Sequence, residues 1–173
     1  GASTDILFMT SRPSQRGALF DRTFRGAFIR PGLDPARWGN RSNYAALNVA
    51  ATGAGEMSIY LSSNSVKERG RRLVLRTDGF AALHAGWEGG EMLTRPLTFA
   101  GAQLEVNYAT SAAGSLRVEL QTAAGAPVPG FTLADCNPIV GDHIARVVRW
   151  GETADVSALA GQPLRLRFSL REA

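Results

Sequence analysis

Apolar and polar residues alternate in short runs along the second half of this chain, and glycine- and proline-bearing turns separate the runs. The clearest runs lie at residues 103–108, 115–121 and 163–170. Successive side chains of a β-strand point to opposite faces, so a period of two predicts strands with one buried and one exposed face. Half-buried strands that recur at this short spacing are typical of an antiparallel β-sandwich.

The first part of the chain has a different character, because its short apolar runs are broken by polar loops. No stretch shows the helical period with capping residues, so the whole chain is predicted to be all-β. Residues 62–70 read as a polar connector. We therefore predict a short β segment at residues 1–65 and a β-sandwich domain at residues 71–173. Asp78-Gly79 lies between two apolar runs, at 73–75 and 80–83, and predicts a tight hairpin turn there.

Composition excludes several classes of protein. The 173 residues are 45% hydrophobic and 20% charged, which is typical of an ordered globular chain. The net charge is +4, and 18 of the 19 basic residues are arginines, which are scattered along the chain apart from Arg69, Arg71 and Arg72. A protein that follows a phosphate backbone would group its basic residues, so no nucleic-acid partner is predicted. No run approaches the ~20 apolar residues of a membrane span, and none resembles a signal peptide.

The cysteine and histidine residues of the sequence do not predict a catalytic or metal site. The single cysteine, Cys136, rules out an intrachain disulfide and is predicted to be a small buried hydrophobe. The two histidines, His84 and His143, show no spacing that points to a nucleophile's base or a zinc site. Calcium is the metal that loop carboxylates of such a sandwich would bind, but no loop has a series of regularly spaced acids, so no cofactor is predicted. The acidic residues considered for calcium are Asp78, Glu88, Glu91, Asp135 and Asp142.

Several motifs together resemble a known architecture. Residues 20–24, 27–34 and 56–60, with Trp38 and Arg41, resemble the last blade of the five-bladed β-propeller in bacterial proteins related to glycoside hydrolase families 32 and 43. A second set of segments resembles the jelly-roll-like sandwich that follows such propellers. These segments are residues 76–80, 90–97, 107–114, 129–131, 135–136, 141–142 and 148–150. The chain departs from these proteins in containing only one blade's worth of propeller, and at Arg25-Gly26, where they carry an acidic residue after the phenylalanine.

The resemblance implies work on carbohydrate. It predicts a glycan-binding module or the ancillary C-terminal part of a glycoside hydrolase, with a polysaccharide or oligosaccharide as partner and a periplasmic or extracellular location. On its own the chain is not expected to be an enzyme. The alternatives are a glycoside hydrolase that keeps carboxylate-based catalysis and a purely structural or self-association domain. A single blade offers unpaired strand edges, which predicts either a homo-oligomer or a first segment folded onto the sandwich.

Glycosidases work with paired carboxylates, and Glu56, Asp21 and Asp34 are the candidates in the first segment. Each also has a structural explanation. Asp34 stands before a proline, where an aspartate commonly forms a turn, and Asp21 precedes Arg22, which suits an ion pair.

Sugar binding uses an aromatic platform together with polar groups that meet the hydroxyls. Trp87 lies among glycines, and the alternatives for it are a ligand contact and a lid over the sandwich core. Trp150 ends an apolar strand, and Tyr108 shares the inward face of its predicted strand with Val106, so both are predicted to be core residues. The predicted ligand-binding residues are Trp87 with Glu88, Glu91, Arg95 and His84, followed by Trp38 with Arg41 and Tyr44.

Overall fold

The structure, a computed structural model, describes residues 4–12, 19–34, 44–62 and 70–173. Within these ranges the strands pair antiparallel, and the one helix is a single 3-10 turn at Ser157–Leu159. The chain is therefore all-β, as the alternating pattern predicts. It divides into two compact units, Gly1–Ala81 and Ala82–Ala173. Across the described ranges, no helix has the length and apolar character that crossing a membrane requires.

The described strands of the first unit are β1 (Thr10–Arg12), β2 (Leu19–Asp21), β3 (Tyr44–Ala45), β4 (Ala50–Gly53), β5 (Glu56–Ser62) and β6 (Gly70–Arg76). The unit is organised around β5. β6 pairs with β5 along its whole length, from Glu56 opposite Arg76 to Ser62 opposite Gly70. The other edge of β5 pairs with β4 and then with β3, which completes a four-stranded sheet, while β1 and β2 form a separate pair.

Because β6 pairs with β5, the division between the two units lies later in the sequence than predicted. The strand at Gly70–Arg76 was expected to open the sandwich, but its hydrogen-bond partner is β5. The division consequently lies at 81/82 rather than between 65 and 71. A strand's choice of partner depends on residues distant in sequence, which no local pattern contains.

The hairpin prediction at Asp78-Gly79 is half right. A turn does form, with Asp78 at φ 56° and the Gly79 N–H donating to the Arg76 carbonyl at 2.9 Å. The residues after it, 80–83, do not pair as a strand. Phe80 stacks on Phe8 instead, with ring centroids 5.5 Å apart. Aromatic packing within the first unit thus takes the place of the predicted second arm.

The second unit is a sandwich of two antiparallel sheets. Its strands are β7 (Gly90–Leu93), β8 (Glu105–Ala109), β9 (Ser115–Thr122), β10 (Asp142–Val147) and β11 (Leu164–Arg171). One sheet has the order β7–β11–β9, and the other pairs β8 with β10. β9 and β11 form the longest ladder, from Leu164 opposite Thr122 to Arg171 opposite Ser115.

The core lies between these two sheets, where the apolar half of each alternating run is buried. Leu116, Val118 and Leu120 point inward from β9 and pack with Tyr108 of β8. Trp150 is buried as well, and its indole N–H donates to the Val118 carbonyl at 2.8 Å. The predictions that Tyr108 and Trp150 are core residues are confirmed.

Cys136 is also a core residue, as its composition-based assignment predicts. Its sulfur accepts a hydrogen bond from the Val118 N–H at 3.3 Å and is closed off from solvent. Burial raises the pKa of this thiol, and the Val118 N–H offsets only part of that effect. A thiol held neutral in a closed core is not a nucleophile.

Candidate functional site

The three-stranded sheet of the second unit has one polar face that points away from the core. Leu166, Phe168 and Leu170 of β11 pack inward, so the intervening residues lie on the other face. The ladder places these intervening residues in line with the odd-numbered residues of β9 and with Glu91 of β7. We call this face, together with Trp87, the outer strip. Its charged and aromatic members are Trp87, Glu91, Arg117, Glu119, Arg165, Arg167 and Arg171.

Trp87 stands at one end of the outer strip in a tight turn. The turn closes by a hydrogen bond from the Gly89 N–H to the Gly86 carbonyl at 3.0 Å. Gly89 adopts φ +77°, and a Cβ there would lie 3.1 Å from the Leu170 carbonyl oxygen, so the turn requires glycine at this position. The indole is 59% exposed and is therefore not a lid over the core.

The indole is partnered by a cation. The Arg171 guanidinium carbon lies 4.0 Å from the centroid of the Trp87 ring, at the C-terminal end of β11. An arginine stacked in this way is attracted by the ring's negative face while its edge N–H groups still point outward. One face of the indole is covered by this contact, and the exposed remainder of the ring is what a ligand can reach.

A network of ion pairs crosses the middle of the strip. Arg167 binds Glu91 through two hydrogen bonds, at 2.7 Å from Nη2 and 3.1 Å from Nε. Its Nη1 reaches the Glu119 carboxylate at 3.3 Å. Glu119 also accepts hydrogen bonds from the Gln121 side chain at 2.7 Å and from the Leu133 N–H at 3.1 Å. The network ties the three strands together through their side chains.

The protonation of this network follows from its contacts. Burial alone would raise the pKa of the Glu119 carboxyl, but hydrogen bonds from Gln121, the Leu133 N–H and Arg167 outweigh it and hold the pKa below its ordinary value. The hydrogen bonds to Glu91, opposed in part by burial, raise the pKa of Arg167. Glu119 is thus a carboxylate and Arg167 a guanidinium at neutral pH.

The other predicted residues of the second unit flank the strip in sequence. His84 and Glu88 are exposed before β7, and Arg95 is exposed just after it. Sequence reasoning selected Trp87 and Glu91 but missed Glu119, Arg167 and Arg171. The signal for these three was present in the alternation of β9 and β11, since the polar half of each run had to share one face. What was missing was the order β7–β11–β9, which joins strands far apart in the sequence.

The carboxylates predicted as catalytic lie in the first unit, and Glu56 is occupied by structural contacts. It accepts a hydrogen bond from the Thr52 hydroxyl at 2.8 Å and forms an ion pair with Arg72. The Arg72 Nε also donates to Ser58 at 2.8 Å, so Glu56 belongs to a polar cluster on β4, β5 and β6.

Asp21 and Asp34 are exposed. Asp21 ends β2 opposite Thr10, and Arg22 donates to the Arg25 carbonyl at 3.4 Å. Tyr44 is exposed on β3, opposite Ser62. Trp38 and Arg41 lie outside the described residues.

Two acids in the loops of the second unit, Asp135 and Asp155, have structural partners. Asp135 accepts hydrogen bonds from the Thr132 hydroxyl at 2.8 Å and the Thr132 N–H at 3.1 Å, and these contacts lower its pKa. Asp155 accepts from the Ser157 N–H at 2.8 Å at the start of the 3-10 turn. In the part of the chain that the structure describes, no three acidic, histidine or cysteine side chains group together as metal ligands would.

Comparison with known proteins adds no relative: no protein-family model, curated protein or solved structure matches this chain.

Proposed function

We propose that the second unit is a carbohydrate-binding module and that its outer strip contacts the glycan. The observation that carries the proposal is the exposed indole of Trp87, held in a glycine turn beside a row of charged side chains. Sugar rings present apolar C–H faces and hydroxyl edges. An exposed aromatic ring suits the faces, and oriented charged groups suit the edges.

The polar neighbours of Trp87 are held in position before any ligand arrives. Arg167 donates two hydrogen bonds to Glu91 and so restricts the motion of this exposed carboxylate. The carboxylate therefore loses little conformational entropy when a sugar hydroxyl donates to it. Arg171 is similarly held by its stacking on the indole. Binding costs less conformational entropy when the contacting side chains are already ordered, which favours a strip of this kind as a recognition surface.

The competing assignment, a hydrolase acting through Glu56, has less support. The Glu56 carboxylate is engaged by Thr52 and Arg72, which are contacts that join neighbouring strands. Binding requires only an accessible surface, and the second unit supplies one by itself. Hydrolysis requires two carboxylates on opposite sides of a sugar-binding cleft.

The test is binding of the full chain to a panel of soluble polysaccharides: β-glucan, xylan, dextran, polygalacturonate, alginate and chondroitin sulfate. Trp87→Ala should weaken binding at least tenfold, because exposed aromatic anchors typically contribute ~2 kcal/mol or more. The melting temperature should stay within a few degrees, since the ring contributes little to the core.

Leu83→Ala is the matched control, because Leu83 is also 59% exposed and precedes the Trp87 turn in the same unit. It should bind like the wild type. Binding to no member of the panel, or equal binding by wild type and Trp87→Ala, would overturn the proposal.

A further inference from the structure

The outer strip is unbalanced in charge. The register places four guanidinium groups on it, from Arg117, Arg165, Arg167 and Arg171, and two carboxylates, from Glu91 and Glu119. Both carboxylates bind Arg167. The other three guanidinium groups therefore keep charge that neither strand carboxylate compensates.

Among the described residues, none of these three arginines forms an ion pair with an acidic side chain. Arg171 stacks on Trp87, an uncharged ring. Arg117 donates to the Leu133 carbonyl at 3.0 Å, a neutral acceptor. The Nε atom of Arg165 is buried and has no hydrogen-bond partner among the described residues.

Arg171 is the best placed of them to meet a ligand. It is exposed, and within the described residues it forms no ion pair, while the indole holds its planar group in one orientation. A stacked guanidinium offers its N–H groups in a fixed fork that matches the two oxygens of a carboxylate or sulfate. Arg171 and Arg165 lie six residues apart on one strand, or ~20 Å, a distance that spans several sugars of a polysaccharide.

From these contacts we infer that the glycan bound by the outer strip is anionic, a polysaccharide that carries carboxylate or sulfate groups, with an acidic group bound by Arg171 beside Trp87. The inference rests on the proposed glycan-binding function and specifies its ligand class. A nucleic acid is the competing polyanion. It is disfavoured because the outer strip offers a single aromatic ring, Trp87, whereas proteins that bind single-stranded nucleic acid stack successive bases on several aromatic rings.

The test compares polysaccharides that differ only in charge. Highly methyl-esterified pectin is paired with the same pectin after de-esterification, and dextran with dextran sulfate, so that one pair probes carboxylate and the other sulfate. The charged member of at least one pair should bind the full chain tenfold or more tightly than its neutral partner. Raising NaCl from ~50 to ~500 mM should remove most of that difference, because salt screens exposed charges.

Arg171→Gln should lower affinity for the acidic member about tenfold, as expected for the loss of a charge-assisted pair of hydrogen bonds. Affinity for the neutral member should change little. Arg146→Gln is the matched control, since Arg146 is an exposed arginine on β10 in the other sheet. It should retain the full preference, and the melting temperatures of both variants establish that they fold.

The outcomes separate the two claims. Equal, Trp87-dependent binding to charged and neutral members overturns the anionic inference and leaves the proposed function standing. A preference that Arg146→Gln removes as fully as Arg171→Gln overturns the assignment to the outer strip. Tighter binding to single-stranded poly(dT) than to any polysaccharide overturns the glycan as ligand, and no binding to any polysaccharide overturns the proposed function itself.

Discussion

Both units of this chain are built from antiparallel strands, yet among the described residues the large buried hydrophobic cluster lies in the second unit. In the second unit the apolar face of one sheet packs on the other sheet and buries Val118, Leu120 and Val148. In the first unit the described residues leave large apolar side chains exposed, with Leu33 at 93% and Leu47 at 91%. Alternation specifies which side of a strand is apolar, but a second layer is needed to bury that side.

The largest difference between the units should appear in how much free energy of unfolding is lost when an aromatic ring is removed. Trp150→Ala removes a buried ring and its hydrogen bond to Val118, and should destabilise the second unit by about 3–5 kcal/mol. Phe20→Ala removes a ring that is mostly exposed and should change stability by no more than ~0.5 kcal/mol. Urea unfolding followed by circular dichroism measures both, and costs of similar size would contradict the comparison.

The ion pairs of the two units give a smaller contrast of the same kind. Glu119 is only 4% exposed and accepts hydrogen bonds from three partners, so Glu119→Gln should cost about 1–3 kcal/mol at pH 7. The side chain of Glu56 is 37% exposed beside Arg72, and Glu56→Gln should cost at most ~1 kcal/mol.

The cost of Glu119→Gln should depend on pH. The pKa of Glu119 is lower in the folded state than in the unfolded chain, so its contribution is complete above the unfolded pKa of ~4.3 and is lost as pH falls through the folded value. The free energies of unfolding of wild type and variant should therefore converge in acid. A difference that stays constant from pH 7 into acid would show that protonation of Glu119 is not what couples stability to pH.

Local pattern accounts for most of the second unit. The runs predicted at 103–108, 115–121 and 163–170 correspond to β8, β9 and β11, each within two residues at either end. Their inward faces are those that the alternation predicts, because side-chain direction in a strand is set by the strand alone.

Strand pairing accounts for what local pattern missed. β6 pairs with β5 rather than opening the sandwich, and the Asp78-Gly79 turn forms without its second arm. The ion-pair network has the same origin, because Glu91 and Arg167 meet only when β7 and β11 are neighbours. Exposure of Trp87 was left open by the sequence and is decided by the glycine turn at 86–89, which holds the ring beside Arg171.

The contrast also bears on where a partner would contact each unit. The prediction of self-association concerns the first unit, whose exposed apolar side chains are what an interface between copies would cover. The outer strip belongs to the second unit and consists largely of ordered charged groups around one indole. The two surfaces differ in chemistry, so a ligand of one is not expected to suit the other.

The most direct test of glycan binding by the outer strip is to follow the tryptophan indole N–H signals by NMR while oligosaccharides of the most tightly bound polysaccharide are added. The chain has three tryptophans, and replacing each in turn with phenylalanine assigns the signals. We expect the Trp87 signal to shift and saturate, while the Trp150 signal stays fixed because its indole N–H is buried against Val118. A titration that moves the Trp38 signal and leaves Trp87 unchanged would contradict this expectation.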